Sequence, residues 1–184
     1  MTSSHVASFT DLVRALATRV RKAYYTRVVF ASVQADMRHI RLGPDVCRAF
    51  HLVQPRSLAI GNGTVLNGDC YLNAQGGIRI GRFCHIGKGL TVLSSNHNFR
   101  SRLSIPYDEH DVLKPVAIGD AVWIGANVSI APGSQVGDGA ILALGAVVRG
   151  DVPSCAIVAG NPATVVGWRD RDDFERLRRE GSFA

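Results

Sequence analysis

The sequence predicts an all-β solenoid of stacked six-residue rungs, with a short helix at each end. Three observations predict it. From residue 118 an aliphatic recurs at every sixth position, through Ile118, Ile124, Ile130, Val136, Leu142 and Val148. Upstream the same period runs through Ile60, Leu66 and Leu72, slips by two residues near Ile78-Arg79-Ile80, and resumes at Ile80, Ile86 and Val92. The composition suits many tight corners around a core of small aliphatics, with 19 glycines and 7% aromatic residues. Ile, Leu and Val make up 46 of the 184 residues. Six hits in six therefore have a chance of about one in four thousand before a register is chosen. The second block removes coincidence as an explanation.

Each element follows in order. Phe9, Leu12, Val13, Leu16, Val20, Tyr24 and Val28 fall on one stripe of a helix. Ser8-x-x-Asp11 is a candidate capping box. This helix is expected to pack on the coils or on a neighbouring subunit, with contact to an anionic membrane as the second possibility. Residues 1–35 are thus read as a helical extension, 36–168 as the β-helix domain and 169–184 as a C-terminal helix.

In the repeat, a period of six is neither the 3.6 of a helix nor the open-ended 2 of a strand. It suits a short extended stretch followed by a turn. The aliphatic points inward, and neighbouring rungs satisfy each other's backbone groups. The following residue is often glycine (Gly61, Gly81, Gly87, Gly119, Gly125, Gly137), which is expected to relax φ at a corner. The residue four after the aliphatic is small or β-branched: Thr64, Cys70, Cys84, Val122, Val128, Ser134, Ala140 and Ala146.

Residues 98–117 (NFRSRLSIPYDEHDVLKPVA) break the hexad and carry Pro106 and Pro115. A polar interruption of this length is expected to be a functional loop. The segment DDFERLRREG reads as a helix ending at Gly181.

The formal charge is +6. Its excess lies at the two ends, in Arg14, Arg19, Arg21, Lys22 and Arg27 and again in Arg169, Arg171, Arg176, Arg178 and Arg179. The nearly neutral middle offers no basic groove, so no nucleic-acid partner is expected. Cys47, Cys70, Cys84 and Cys155 form no CxxC pair and match no zinc spacing; free buried thiols are expected. The opening MTSSHVASFTD has no apolar signal core, and no apolar run approaches the length of a membrane span. A cytoplasmic location is the expectation.

The motifs VWIGANVSIAPG and AGNPA, set in the hexad, closely resemble the C-terminal half of hexapeptide-repeat acyltransferases. The nearest resemblance is to sugar and polysaccharide O-acetyltransferases and to galactoside and maltose acetyltransferases. It covers roughly residues 58 to 168. It implies a left-handed parallel β-helix of three-sided coils, acetyl-CoA as co-substrate without a metal, and a homotrimer with active sites between subunits. His97, in SSNHNF ahead of the loop, then matches the family's general base, a role that suits the neutral-range titration of histidine. The Ala126 N–H matches a donor to the developing oxyanion. Trp123 and Asn73 match positions near the acceptor, and Tyr71 and Asn96 neighbour the same cleft. Ala126 and Leu144 match backbone positions that hold the coenzyme arm. Arg149, Gly150, Arg169 and Arg171 are candidates for its phosphates. Relatives carry Thr-Lys where this chain has Arg149-Gly150, and arginines where it has Thr164 and Gly167.

A related β-helix class hydrates carbon dioxide with three zinc-binding histidines. His85, His97 and His110 stand 12 and 13 residues apart, with no tight pair to build such a site. The acceptor expected is a saccharide hydroxyl in a polysaccharide, a lipid-linked sugar or a small saccharide. A xenobiotic or antibiotic acetyltransferase and an amino-sugar N-acetyltransferase are the enzymatic alternatives. A catalytically silent binding or assembly module is the non-enzymatic one.

Overall fold

The computed structural model of the chain describes residues 9–36, 39–42 and 50–183. The candidate cap Ser8 and the thiol of Cys47 lie outside them. The coils form three parallel sheets. One face stacks Leu58–Ile60, Ile78–Ile80, Val116–Ile118, Gln135–Val136 and Asp151–Val152. The second stacks Arg41–Leu42, Val65–Leu66, His85–Ile86, Trp123–Ile124, Ile141–Leu142 and Ala156–Ala159. The third stacks His51–Val53, Tyr71–Asn73, Thr91–Leu93, Ser129–Ile130 and Val147–Val148. The chain visits the faces in that order and climbs one rung per circuit.

The register matches the predicted hexad. Ile80 pairs with Ile118, Ile86 with Ile124 and Val92 with Ile130. Every aliphatic of the series is buried, and so are the small or β-branched residues from Thr64 to Ala146 named four places on. Among the latter, the Thr64 hydroxyl donates to the Gly81 carbonyl at 2.9 Å and that of Ser134 to the Ala131 carbonyl at 2.8 Å. Polar groups inside the prism are thereby satisfied.

The glycines after the aliphatics do a different job from the one expected. They have ordinary φ. A Cβ built on Gly125 would stand 2.7 Å from the Leu144 nitrogen. Only hydrogen leaves room for the backbone of the next rung. The left-handed conformation falls two residues later instead, for example at Gly89 (φ 78°) and Asn127 (φ 57°), where Asn and Gly tolerate it best.

The ends differ in how they attach. The AGNPA segment turns the chain back, so that Thr164–Trp168 pairs antiparallel with Ala156–Ala159. Helix α2 (Arg171–Glu180) begins at Asp170, whose carboxylate accepts the Asp173 N–H, and ends at left-handed Gly181 as predicted. Helix α1 (Phe9–Tyr24) forms where predicted, but its apolar stripe does not lie on the coils. The chain meets the prism only after it, through a π-turn at Tyr25–Val29 and the buried Phe30. Phe50 meets Phe30 and Tyr25 edge-on, with ring centroids 5.2 and 5.5 Å apart.

Cys70, Cys84 and Cys155 are free and buried. Burial pushes the thiols of Cys70 and Cys84 up to about 12 and about 11, against the lowering effect of nearby backbone hydrogen bonds. The thiolate is the reactive form. At pH 8 the native protein should leave both unlabelled by iodoacetamide, while the denatured chain labels fully; peptide mapping distinguishes the two. Fast native labelling at either position would show that the prism opens there.

Candidate active site

The corner between the third and first faces is the irregular one. From Ile60 onward the inward aliphatics at the other two corners stay six residues apart. At this corner the spacing is eight from Leu52 to Ile60 and from Leu72 to Ile80, the second being the slip seen in the sequence, and the coil after Val92 carries the long insertion. The insertion is not all loop. Ser95–His97 and Asp111–Leu113 form an antiparallel hairpin, and Val116–Ile118 already belongs to the first face. The irregular stretch expected over 98–117 is therefore confined to 98–110 and 114–115.

The hairpin places Asp111 directly opposite His97. His97 Nδ1 lies 3.0 Å from Asp111 Oδ1. A carboxylate only accepts, so the Nδ1–H donates, and in the neutral imidazole Nε2 is the nitrogen with the lone pair. From the tip of the insertion, Tyr107 stacks on the imidazole, with centroids 3.9 Å apart and planes 8° apart. The ring is thus fixed in plane and tautomer while its side chain remains 55% exposed.

Behind Asp111 stands a chain of polar side chains. Gln75, one of the extra residues at the slip, donates to Asp111 Oδ2 at 3.3 Å. Its Oε1 accepts from Ser95 Oγ at 2.8 Å and from Asn73 Nδ2 at 3.3 Å. Asn73 also donates to Ser95 Oγ at 3.2 Å. Asn73 is thus a support for the pair. Sequence reasoning missed Asp111, Gln75, Ser95 and Tyr107. The one available signal was the slip, which marks where Gln75 enters.

His97 opens on a cavity of about 510 Å³ that Asn96, Arg100, Lys114, Pro132, Arg149 and Gly150 also line. Of the residues singled out from sequence, the structure brings together His97, Asn96, Arg149 and Gly150. The cavity is basic along one wall, which fits phosphate or carboxylate groups.

The remaining candidates lie elsewhere. Ala126 and Leu144 stack at the corner between the second and third faces, where the Gly145 N–H donates to the Ala126 carbonyl at 2.9 Å. Neither the Ala126 nor the Leu144 N–H meets an acceptor among the described residues. Trp123 stands on the second face beside His85, in a separate cleft with Arg169. Arg169 Nε donates to the Gly139 carbonyl at 2.7 Å. Arg171 lies over the Trp168 ring, 5.3 Å from its centroid. Tyr71 is on the outer side of the third face, next to His51. One chain thus carries His97 and the free backbone donors on opposite edges of its third face. His85, His97 and His110 are not gathered, and among the described residues no three His, Cys, Asp or Glu side chains are placed to share a metal.

Comparison with known proteins agrees with this architecture. Residues 115–150 match the family described as bacterial transferase hexapeptide (six repeats). The chain is 36% identical over 117 residues to a chloramphenicol acetyltransferase of Agrobacterium fabrum, covering 55% of this chain and 56% of that one. It is 33% identical over 96 residues to an Escherichia coli protein provisionally named as a lipopolysaccharide biosynthesis O-acetyl transferase, covering 48% and 49%. The chain spans about half the length of these curated relatives. A hexapeptide-repeat acetyltransferase of Vibrio cholerae O1 biovar eltor, solved with acetyl coenzyme A, superposes with a TM-score of 0.67 at 25% identity. That match covers 89% of this chain and 92% of that one.

Proposed function

We propose that the chain is a hexapeptide-repeat transferase that moves an acetyl group from acetyl-coenzyme A to a saccharide hydroxyl, with His97 as general base; the match of residues 115–150 to that repeat supports the reading. The observation that carries this reading is the His97–Asp111 pair, with Nε2 free, at the mouth of a basic cavity. Nε2 accepts the proton of the attacking hydroxyl, whose oxygen bonds to the thioester carbonyl carbon. The carbonyl oxygen gains charge, which a fixed N–H stabilises. As the carbon–sulfur bond breaks, the imidazolium returns its proton to the leaving sulfur. The products are an acetyl ester and the free coenzyme thiol, and no acyl group is held on the protein.

The N–H of Ala126 suits the oxyanion, but it stands across the third face from its own chain's His97. A second copy supplies it if neighbouring prisms face each other, so we propose a homotrimer with sites between protomers. The coenzyme arm then runs along the cleft past Pro132 and the Leu144 N–H of the neighbour. Its phosphates meet Arg149. A cytoplasmic location accords with acetyl-coenzyme A as the donor.

Asp111 sets the tautomer, so Asp111→Asn, whose amide can donate to Nδ1, turns the lone pair away from substrate. Such a change costs ~10⁴-fold in a buried triad. The exposure here reduces the expected loss of kcat to about 10²-fold, with the KM for acetyl-coenzyme A nearly unchanged. A stopped-assay comparison that finds full turnover would remove Asp111 from this role.

The direct test follows free thiol release from acetyl-coenzyme A across saccharides, nucleotide sugars and chloramphenicol. The reading expects release with a hydroxyl-bearing sugar. The resemblance to a chloramphenicol acetyltransferase supports the second reading, and release with that drug alone would select it. Absence of release with every acceptor, despite coenzyme binding, would favour the silent module.

A further inference from the structure

Among the described residues nothing covers the apolar stripe of α1. Exposure runs from 80% at Phe9 to 49% at Val13, and Leu12, Leu16, Val20 and Tyr24 lie between. In a helix about 24 Å long, this is a continuous strip of Leu, Val and aromatic side chains. A strip of that size on a water-soluble surface marks a docking site. The described residues of the coils leave it bare, because the first contacts with the prism come from Tyr25, Val29 and Phe30.

Charge decides the occupant. Residues 9–29 contain five Lys or Arg (Arg14, Arg19, Arg21, Lys22, Arg27) against the single acid Asp11. Arg19, Arg21 and Arg27 are exposed. A second copy of this helix would bring the same positive charge to the contact and be repelled. An anionic bilayer complements both features. Its headgroups attract the cations, and its acyl boundary takes the strip, with long basic side chains reaching back to the phosphates. We propose that α1 is an in-plane membrane helix that docks the protein on bilayers containing anionic phospholipid. Among the described residues no helix is long and apolar enough to cross a membrane. The Tyr25–Phe30 junction holds the coils against this helix, so docking places the prism at the lipid surface. The inference stands on the helix alone and does not require the transferase reading.

The test uses the full chain in flotation with vesicles of phosphatidylcholine, with and without phosphatidylglycerol. The protein should float with the anionic vesicles only, and less at 1 M salt than at 0.1 M, as the Debye length falls from about 10 to about 3 Å. Leu16→Glu with Val20→Glu should weaken partition at least tenfold, and Arg19→Gln about fivefold, with native mass and melting temperature unchanged. Phe9→Trp gives an independent readout, a blue-shifted emission on adding anionic vesicles. No flotation, equal flotation with neutral vesicles, or an unshifted emission would overturn the proposal. So would a fall in native mass for the double Glu variant, because the strip would then be covered by another copy.

Discussion

His97→Ala should lower turnover of acetyl-coenzyme A with a competent acceptor by ~10²–10⁴-fold, the span expected when a positioned base is removed. The loss should fall on kcat. Alanine leaves the cavity wall formed by Arg100, Lys114 and Arg149 intact, so coenzyme affinity and native mass should hold. The structure explains why a half-exposed imidazole can matter this much. Its plane is set by Tyr107 and its tautomer by Asp111, so the free nitrogen faces the cavity without reorganising. Steady-state kinetics with both substrates varied separates the outcomes. A variant that keeps wild-type kcat removes His97 from the reaction.

Ile124→Ala should cost about 2–5 kcal/mol of stability, as other large-to-small core changes do. Ile124 is fully buried and pairs in register with Ile86 below and Leu142 above. The rung spacing of about 4.8 Å is fixed by backbone hydrogen bonds, so the stack cannot collapse around the missing carbons. The melting temperature should drop by roughly 5–20 °C, taking about 2–4 °C per kcal/mol for a domain of this size. Gln135→Ala, exposed on the next coil, should stay within about 0.5 kcal/mol. Equal small shifts for the two variants would mean that the aliphatic column does not hold the prism together.

The hexad was legible because each aliphatic performs one repeated physical task, and repetition reveals a period without any alignment. Even so, the reason given for the following glycines was mistaken. Gly125 is demanded by the backbone of the next rung, a contact between residues 19 apart in sequence (125 and 144). Position in the hexad could not reveal that contact. Helix α2 was legible from its segment and its stop at Gly181, while the cap at Asp170 came only with the structure. Helix α1 was also legible, but not what covers its stripe, because a stripe specifies no partner.

The site divides in the same way. His97 stood out through motifs on either side of it. Asp111 did not, because Asp108, Glu109 and Asp111 look alike in a polar run, and only the hairpin register singles out the one opposite His97. Gln75 and Ser95 act through side-chain hydrogen bonds to residues 36 and 20 positions away in the chain, beyond any local pattern. Placing Ala126 and His97 in one site is a statement about two copies of the chain. The resemblance implies it, whereas on one prism the two residues stand at opposite edges of the third face.

The most direct measurement is a crystal structure of the full chain with coenzyme A bound. The thiol should lie in a cleft between two protomers, within hydrogen-bonding reach of His97 Nε2 from one, about 3–4 Å, and close to the Ala126 N–H of the other. A thiol bound away from His97, or a monomer whose imidazole faces bulk water with the coenzyme elsewhere, would contradict the account.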